Sequence, residues 1–472
     1  MFTFSLILAI SLATYIESGF ETIEFELSHA AIINGFRVIF LRVLINGDKS
    51  KKAIIKNEKA LYKALWTDLH KSESEAFLTE ISIVLQEIKH HQKYLKRWTK
   101  PTRVPTSLSV FPSSSYIIYE PLGTALIIAP WNYPVNLLMC PLVGAIAAGC
   151  CAMLKPSPYT PNVADIMEKI ITETFPENYI SIVQGDRQVN TLLLSQRFDF
   201  IFFTGSPKLG KIVMEAAAKN LTPLLLELGG KSPCIVDEDA DLKVAARRIM
   251  WGKTINAGQT CIAPDYLFAH KNIKDELLAE MRKALIEFFG ENPEQNDFFP
   301  RIVNEQAVIR LEKLMKDGDI VVGGKIDRKN RYIAPTIIDN VTEDMPVMQE
   351  EIFGPILPVM TFTDTKTVVD YVNKHEKPLA FYYFGNTKTK AEALLAQTSS
   401  GGACINDVIL HFANPHLPFG GVGNSGLGKY HHRENFLAFS NRRSVLKSVT
   451  WFDIPVKFPP FKGLNKLKRF LK

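Results

Sequence analysis

Cysteine is scarce. There are six in 472 residues (Cys140, Cys150, Cys151, Cys234, Cys261, Cys404) and no CxxC pair, so neither a disulfide framework nor a thiolate zinc site is indicated and a reducing compartment fits. Charge of one sign is also in short supply. The 55 Lys and Arg against 49 Asp and Glu leave +6, an excess that a basic C-terminal tail largely supplies, and no nucleic-acid partner is implied. No window reaches the roughly 18 uninterrupted apolar residues of a membrane-spanning helix. The apolar start MFTFSLILAISLATY, Met1–Tyr15, lacks the charged lead of a signal peptide, and SGFETIEFE after it offers no cleavage site. A core-packed or poorly ordered segment is expected there rather than a membrane-targeting one. Fixed-period repeats and low-complexity linkers are missing too, so the lobes of the chain should pack directly on one another.

What is present is a globular composition, 46% hydrophobic and 22% charged, on a chain too long for one ordinary core. Helical spacing runs from Asn57 to about Trp98, and the Pro- and Ser-rich PTRVPTSLSVFPSSSYIIYEPLG then reads as an extended or hairpin excursion. From Thr124 to Leu228 five apolar strands (TALIIAP, CAMLKPS, YISIVQG, FDFIFFTG, TPLLLEL) alternate with helices. That alternation predicts an α/β fold with a parallel, doubly wound sheet, which takes its ligands outside the carboxyl ends of the strands. KPS, FTGS and ELGG fall at those ends. Beyond Gly229 a second α/β region follows, with SPCIVDED and DYLFAH as strands and helices through Trp251 and over DELLAEMRKALIEFF.

Several stretches carry chemistry. FTGSPKLGKI resembles a P-loop, but Ile212 stands where a magnesium-binding Ser or Thr is required; an anion over the helix N-terminus remains reasonable. A literal GxGxxG at Gly421, Gly423 and Gly426 follows no apolar strand and leaves 46 residues after it (472 − 426), so it reads as a tight loop shaping a nearby site. Cys261 in NAGQTCIAPDY has small and polar neighbours, unlike Cys140, Cys150 and Cys151; it is a nucleophile or a packed loop cysteine. Glu227 closes the apolar run LLLEL, as a general base with a raised pKa or as a salt-bridged or capping carboxylate. Asn132 in APWNYP is a turn residue or a fixed amide donor to an oxyanion.

Taken in order, APWNYP, KPS, FTGS with its Gly205–Gly210 spacing, LELGGKSP, GQTCIAPDY, EEIFGP, SGG followed by IND, and PFGGVGNSGLGKYH resemble the aldehyde dehydrogenase superfamily from about Asn57 onward. The likeness is to its class 3 branch of fatty and aromatic aldehyde dehydrogenases. It implies NAD(P)-dependent oxidation of an aldehyde to a carboxylic acid, with no metal. Cys261 would be the nucleophile, Asn132 and the Cys261 backbone N–H the oxyanion donors, and Glu227 the base that activates water. Lys155 and Ser157 of KPS, Gly205, Ser206 and Gly210, and Glu351 and Phe353 of EEIFGP would hold NAD or NADP. Tyr133 and His431 would line the substrate pocket.

The resemblance further implies a Rossmann-like cofactor domain (1–100 and 121–228), a catalytic domain (229–417), a bridging and oligomerisation arm (101–120 and 418–455) and a basic tail (456–472), in a cytoplasmic homodimer. The tail KGLNKLKRFLK would pack over the substrate entrance, be solvated, or make peripheral contact with anionic lipid. Two positions depart from the pattern: AAIINGFRVIFLRVLINGDKSKK replaces a charged amphipathic helix, and Pro158 stands where many relatives carry glutamate. Two rival functions exist. A CoA-acylating enzyme would generally lack Glu227, and a catalytically silent structural homologue would have lost Cys261, Asn132 or Glu227.

Overall fold

The computed structural model describes residues 46–471. Met1–Tyr15 and the greater part of the atypical segment after it lie outside the described residues. Helices Glu58–Leu69, Glu73–Ala76 and Ser82–Trp98 occupy the stretch read as helical, the last two joined by a π-helical turn at Phe77–Ile81. Hydroxyls loosen that turn: Thr79 Oγ1 donates to Glu75 O at 2.8 Å and Ser82 Oγ to Leu78 O at 3.0 Å, competing with the regular helical bonds.

The Pro- and Ser-rich excursion is a hairpin of β1 (Thr102–Val104) and β2 (Ser113–Pro121), and β18 (Ser440–Ser448) from the far end of the chain pairs antiparallel with β2. Much of this ribbon is exposed, with Leu108, Phe111 and Leu446 open to solvent.

The five anticipated strands, β3 (Thr124–Ile128), β4 (Cys151–Lys155), β5 (Ile180–Ile182), β6 (Phe200–Thr204) and β7 (Leu224–Glu227), form a parallel sheet in the order β7-β6-β3-β4-β5. Both faces of β6 are buried and Phe202 is wholly enclosed, which explains its uninterrupted apolar run. The first strand sits in the middle, so the order reverses there and a crevice opens at the carboxyl ends of β3 and β6. A two-residue strand that periodicity gave no hint of, β17 (Gly426–Leu427), adds antiparallel to the β7 edge. It lies in the GxGxxG loop.

The second sheet contains β8 (Pro233–Val236), β9 (Tyr266–His270), β13 (Thr336–Asp339), β14 (Ile356–Phe362), β15 (Ala380–Phe384) and β16 (Gly402–Ile405). They run parallel in the order β13-β14-β9-β8-β15-β16, with β10 (Asp319–Val322) antiparallel beside β13. A small ribbon, β11 (Ile326–Asp327) with β12 (Tyr332–Ile333), lies apart from it.

Helix starts are fixed by side chains. Ser206 accepts from Leu209 N at the head of Pro207–Ala218, where Pro207 occupies the first turn. Asp68 reaches across from the Glu58–Leu69 helix to cap Pro161–Thr174, accepting from Val163 N at 2.9 Å and Asn162 Nδ2 at 2.7 Å.

Candidate active site

The turn after β3 carries Asn132 and Tyr133 into the buried helix Asn136–Ala148, whose N-terminal amides need acceptors. Glu80 Oε2 supplies them, taking Val135 N at 3.1 Å and Asn136 N at 2.8 Å, while its Oε1 takes Lys71 Nζ at 2.9 Å. Lys71 also donates to Asn132 O at 3.2 Å and lies 4.4 Å from the Tyr133 ring centroid. The Lys71–Glu80 pair is fully buried and ties the Asn132 turn to the helices beneath it.

The thiol arrives on a strained turn. After the helix Leu242–Thr254, Asn256, Ala257 and Gly258 all adopt positive φ, at 51°, 52° and 72°. Gly258 has no substitute, because a Cβ there would stand 2.2 Å from Gly354 O. The two residues that do carry a Cβ cost on the order of 1–3 kcal/mol each, and a polar web holds them. Asn256 Nδ2 donates to Asn132 O at 2.8 Å and Gln259 O at 3.0 Å; Gln259 Nε2 donates to Asn256 O and Arg301 O. Asn132 Nδ2 donates to Gln259 O at 3.0 Å, which leaves its second hydrogen for another acceptor. Cys261 follows, half-buried. Burial pushes its thiol up, the carboxylates of Glu351 and Glu227 push it further, and the N–H groups of Cys261 and Ile262 oppose them.

Glu227 ends β7 with only 3% exposure, and neither carboxyl oxygen has a hydrogen-bond partner. Burial raises its pKa well above the usual carboxylate range, and Lys429 pulls the other way. Lys429 Nζ donates to Gly401 O and Gly420 O. Gly420 is bare for a reason: its Cβ would stand 2.8 Å from Glu227 Oε1. The glycine-rich loop thus shapes the carboxyl's surroundings, as its sequence suggested.

Lys155, Ser157, Gly205, Ser206 and Gly210 gather at the carboxyl edge of the first sheet. Lys155 is buried with Nζ on Pro156 O at 2.7 Å; burial lowers its pKa to about 8 against the opposing charge of Asp186. Ser157 Oγ accepts from Tyr159 N at 3.3 Å. Gly205 N donates to Glu227 O at 3.0 Å, and a Cβ on Gly210 would meet Leu228 Cδ2 at 2.7 Å, so the helix can seat on the strand end only at glycine. Glu351 lies against Gly229, where a Cβ would stand 2.1 Å from Oε2. Burial and the charge of Asp265 push its pKa to about 8, opposed by the Gly230 N–H, Lys231 and Arg310. Phe353, at φ 50°, meets Trp131 edge-on at 5.4 Å.

On the other side of Cys261 opens a cavity of about 560 Å³ with a largely apolar wall that includes Leu137, Trp251, Phe289, Phe298, Phe412 and Phe419, a size that suits a small ligand. Tyr133 and His431 line it. The Tyr133 hydroxyl bonds Thr260 Oγ1 at 2.6 Å. His431 stacks on Tyr430 at 4.0 Å, with Nδ1 3.8 Å from Glu87 Oε2. Burial works to raise the Glu87 carboxyl, but the neighbouring His431, His91 and His432 outweigh it and hold it low.

Residues 48–445 match the aldehyde dehydrogenase family. The chain belongs to that family. It is 47% identical over 427 residues to 4,4'-diaponeurosporen-aldehyde dehydrogenase of Staphylococcus aureus (strain NCTC 8325 / PS 47), covering 90% of this chain and 93% of that one. It is 45% identical over 412 residues to human aldehyde dehydrogenase family 3 member B1, covering 87% and 86%. A solved structure, the substrate-bound state of Staphylococcus aureus AldH, superposes with a TM-score of 0.89 at 46% identity, covering 91% and 94%. The protein is an NAD(P)-dependent aldehyde dehydrogenase of the class 3 branch. Its residues suit the cofactor: the head of the helix Pro207–Ala218, directly after β6, offers free backbone N–H groups for phosphate.

Sequence reasoning overlooked Lys71, Glu75, Glu80 and Lys429. For the first three the one available signal was charge at helical spacing within KSESEAFLTE; which of those charges is buried depends on tertiary packing.

Proposed function

We propose that this enzyme oxidises apolar aldehydes by covalent catalysis at Cys261. The thiolate of Cys261 adds to the aldehyde carbon. The free hydrogen of Asn132 Nδ2 and the Cys261 N–H then hold the oxyanion, a contribution of about 2.7–4 kcal/mol per donor. When bound, NAD(P) supplies the hydride acceptor that converts this adduct into a thioester. Glu227 takes a proton from water, the hydroxide attacks the thioester carbonyl, and the acid departs as the sulfur is regenerated. Tyr133 and His431 shape the aldehyde's path. Lys155, Ser157, Gly205, Ser206 and Gly210 hold the dinucleotide, with Glu351 and Phe353 on its nicotinamide end. The observation that carries this reading is the half-buried Cys261 at the wall of the apolar cavity, with the unpartnered Glu227 carboxyl near enough to act on its thiol and the Asn132 amide held on Gln259 O two residues before it. Cys261→Ala tests it. Turnover of octanal should vanish while NADP still quenches tryptophan fluorescence, and near-normal turnover would contradict it.

We assign the domain division 1–100 and 121–228, 229–417, and 101–120 with 418–455 to cofactor binding, catalysis and oligomerisation. The exposed apolar ribbon of β1, β2 and β18 supports a homodimer joined through that arm. Six free cysteines support a cytoplasmic setting. No helix among the described residues is long and apolar enough to cross a membrane. Exposed Trp451, Phe452, Phe458 and Phe461 beside the basic tail support peripheral contact with anionic lipid instead. Sedimentation with phosphatidylserine vesicles, lost at high salt, is the expected result.

A further inference from the structure

We infer that Glu75 is a positioning residue for the nucleophile and the oxyanion donor, acting through the backbone of Asn256. The inference rests on the reading of Cys261 as nucleophile and adds a residue to it. Glu75 lies at the cavity wall, two residues before the π-helical stretch Phe77–Ile81. Its Oε1 accepts from Asn256 N at 2.7 Å. That amide belongs to the first residue of the positive-φ turn 256–258, and Asn256 is fully buried. Without Glu75 the N–H would be a buried donor with no partner, in a turn already strained.

Two reacting groups depend on that turn. Going forward, Asn256 leads through Ala257 and Gly258 to Gln259 and Cys261. Sideways, the Asn256 side chain holds Asn132 O, and Asn132 Nδ2 shares the Gln259 O acceptor with it. A shift of the Asn256 backbone therefore moves the sulfur and the amide donor together. A misplacement of about 1 Å in such a constellation costs roughly a hundredfold in rate.

Glu75 meets few other ionisable groups. Lys71 and Glu80 act on it from its own helical segment, and it acts on Tyr133 from the turn after β3, which also feels Cys261. Burial raises its pKa to about 7, with Glu80 adding to that effect while Lys71 and the Asn256 N–H oppose it. The acceptor that fixes the turn thus changes charge near neutrality, and its grip is stronger as the carboxylate.

The experiment compares Glu75→Ala and Glu75→Gln with the parent, using octanal and NADP across pH 6–9 and recording melting temperature alongside. Glu75→Ala should lose about tenfold or more in kcat, keep KM for NADP within about twofold, and alter the rate at which iodoacetamide alkylates Cys261. Glu75→Gln keeps an acceptor oxygen, so it should restore kcat to within about threefold of the parent and flatten the pH profile near neutrality. Three results would overturn the inference: Glu75→Ala with the parent's kcat and pH profile, Glu75→Gln as impaired as Glu75→Ala, or a loss that only follows a lowered melting temperature. Activity in Cys261→Ala would instead strike the reading beneath it.

Discussion

At the scale of single residues the site is dominated by groups kept away from their ordinary charge. Among the described residues Glu227 has no hydrogen-bond partner and only Lys429 to favour its ionised form. Replacing Lys429 with Met removes that cation, so the Glu227 pKa should rise and the ascending limb of kcat against pH should move to higher pH. An unmoved limb would assign it to another group. Glu351 gives a stability prediction with a definite sign. In the folded protein without cofactor it keeps its proton to about pH 8, against an ordinary value of 4.5. Between those values the folded state binds more protons than the unfolded state, so raising the pH favours unfolding. The contribution is complete below pH 4.5 and lost as the pH passes 8. The melting temperature of Glu351→Gln should therefore fall less steeply from pH 5 to 9 than that of the parent, and equal slopes would refute the assignment.

At the scale of elements, what could be read from the chain was whatever repeats locally. Apolar runs such as FDFIFFTG give β6 because a strand buried on both faces needs no polar alternation. Cys261, Glu227 and Asn132 could be singled out because each breaks its neighbours' pattern. Lys71 and Glu80 could not be, since a charged pair in a helix looks solvated until the packing against Asn136–Ala148 encloses it. The Asp68 cap escaped notice for the same reason: its acceptor atoms and the helix it serves are 94 positions apart at Asn162. Asp68→Ala should cost about 0.5–2 kcal/mol, measured as a lower urea midpoint with an unchanged m value. No change in midpoint would mean that water replaces the carboxylate.

At the scale of the whole molecule, cofactor choice depends on the edge of the first sheet. Pro158 is exposed just after β4 and offers neither an acceptor for a ribose hydroxyl nor a charge to repel a 2′-phosphate. A lost ribose hydrogen bond is worth about 0.5–1.5 kcal/mol, and tenfold discrimination takes about 1.4 kcal/mol. Both NAD and NADP should therefore be used, with kcat/KM values within roughly a hundredfold of each other. A thousandfold preference for NAD would mean that another residue replaces the missing carboxylate. The covalent route itself is tested most directly by intact mass after rapid quench of Glu227→Gln with octanal and NADP. Acylation should proceed and deacylation should slow by about 10²–10⁴, so each chain should gain one octanoyl group, mapped to the peptide carrying Cys261, with a matching burst of NADPH. A burst without added mass, or an adduct on any other residue, would contradict the assignment of Cys261 as nucleophile and Glu227 as base.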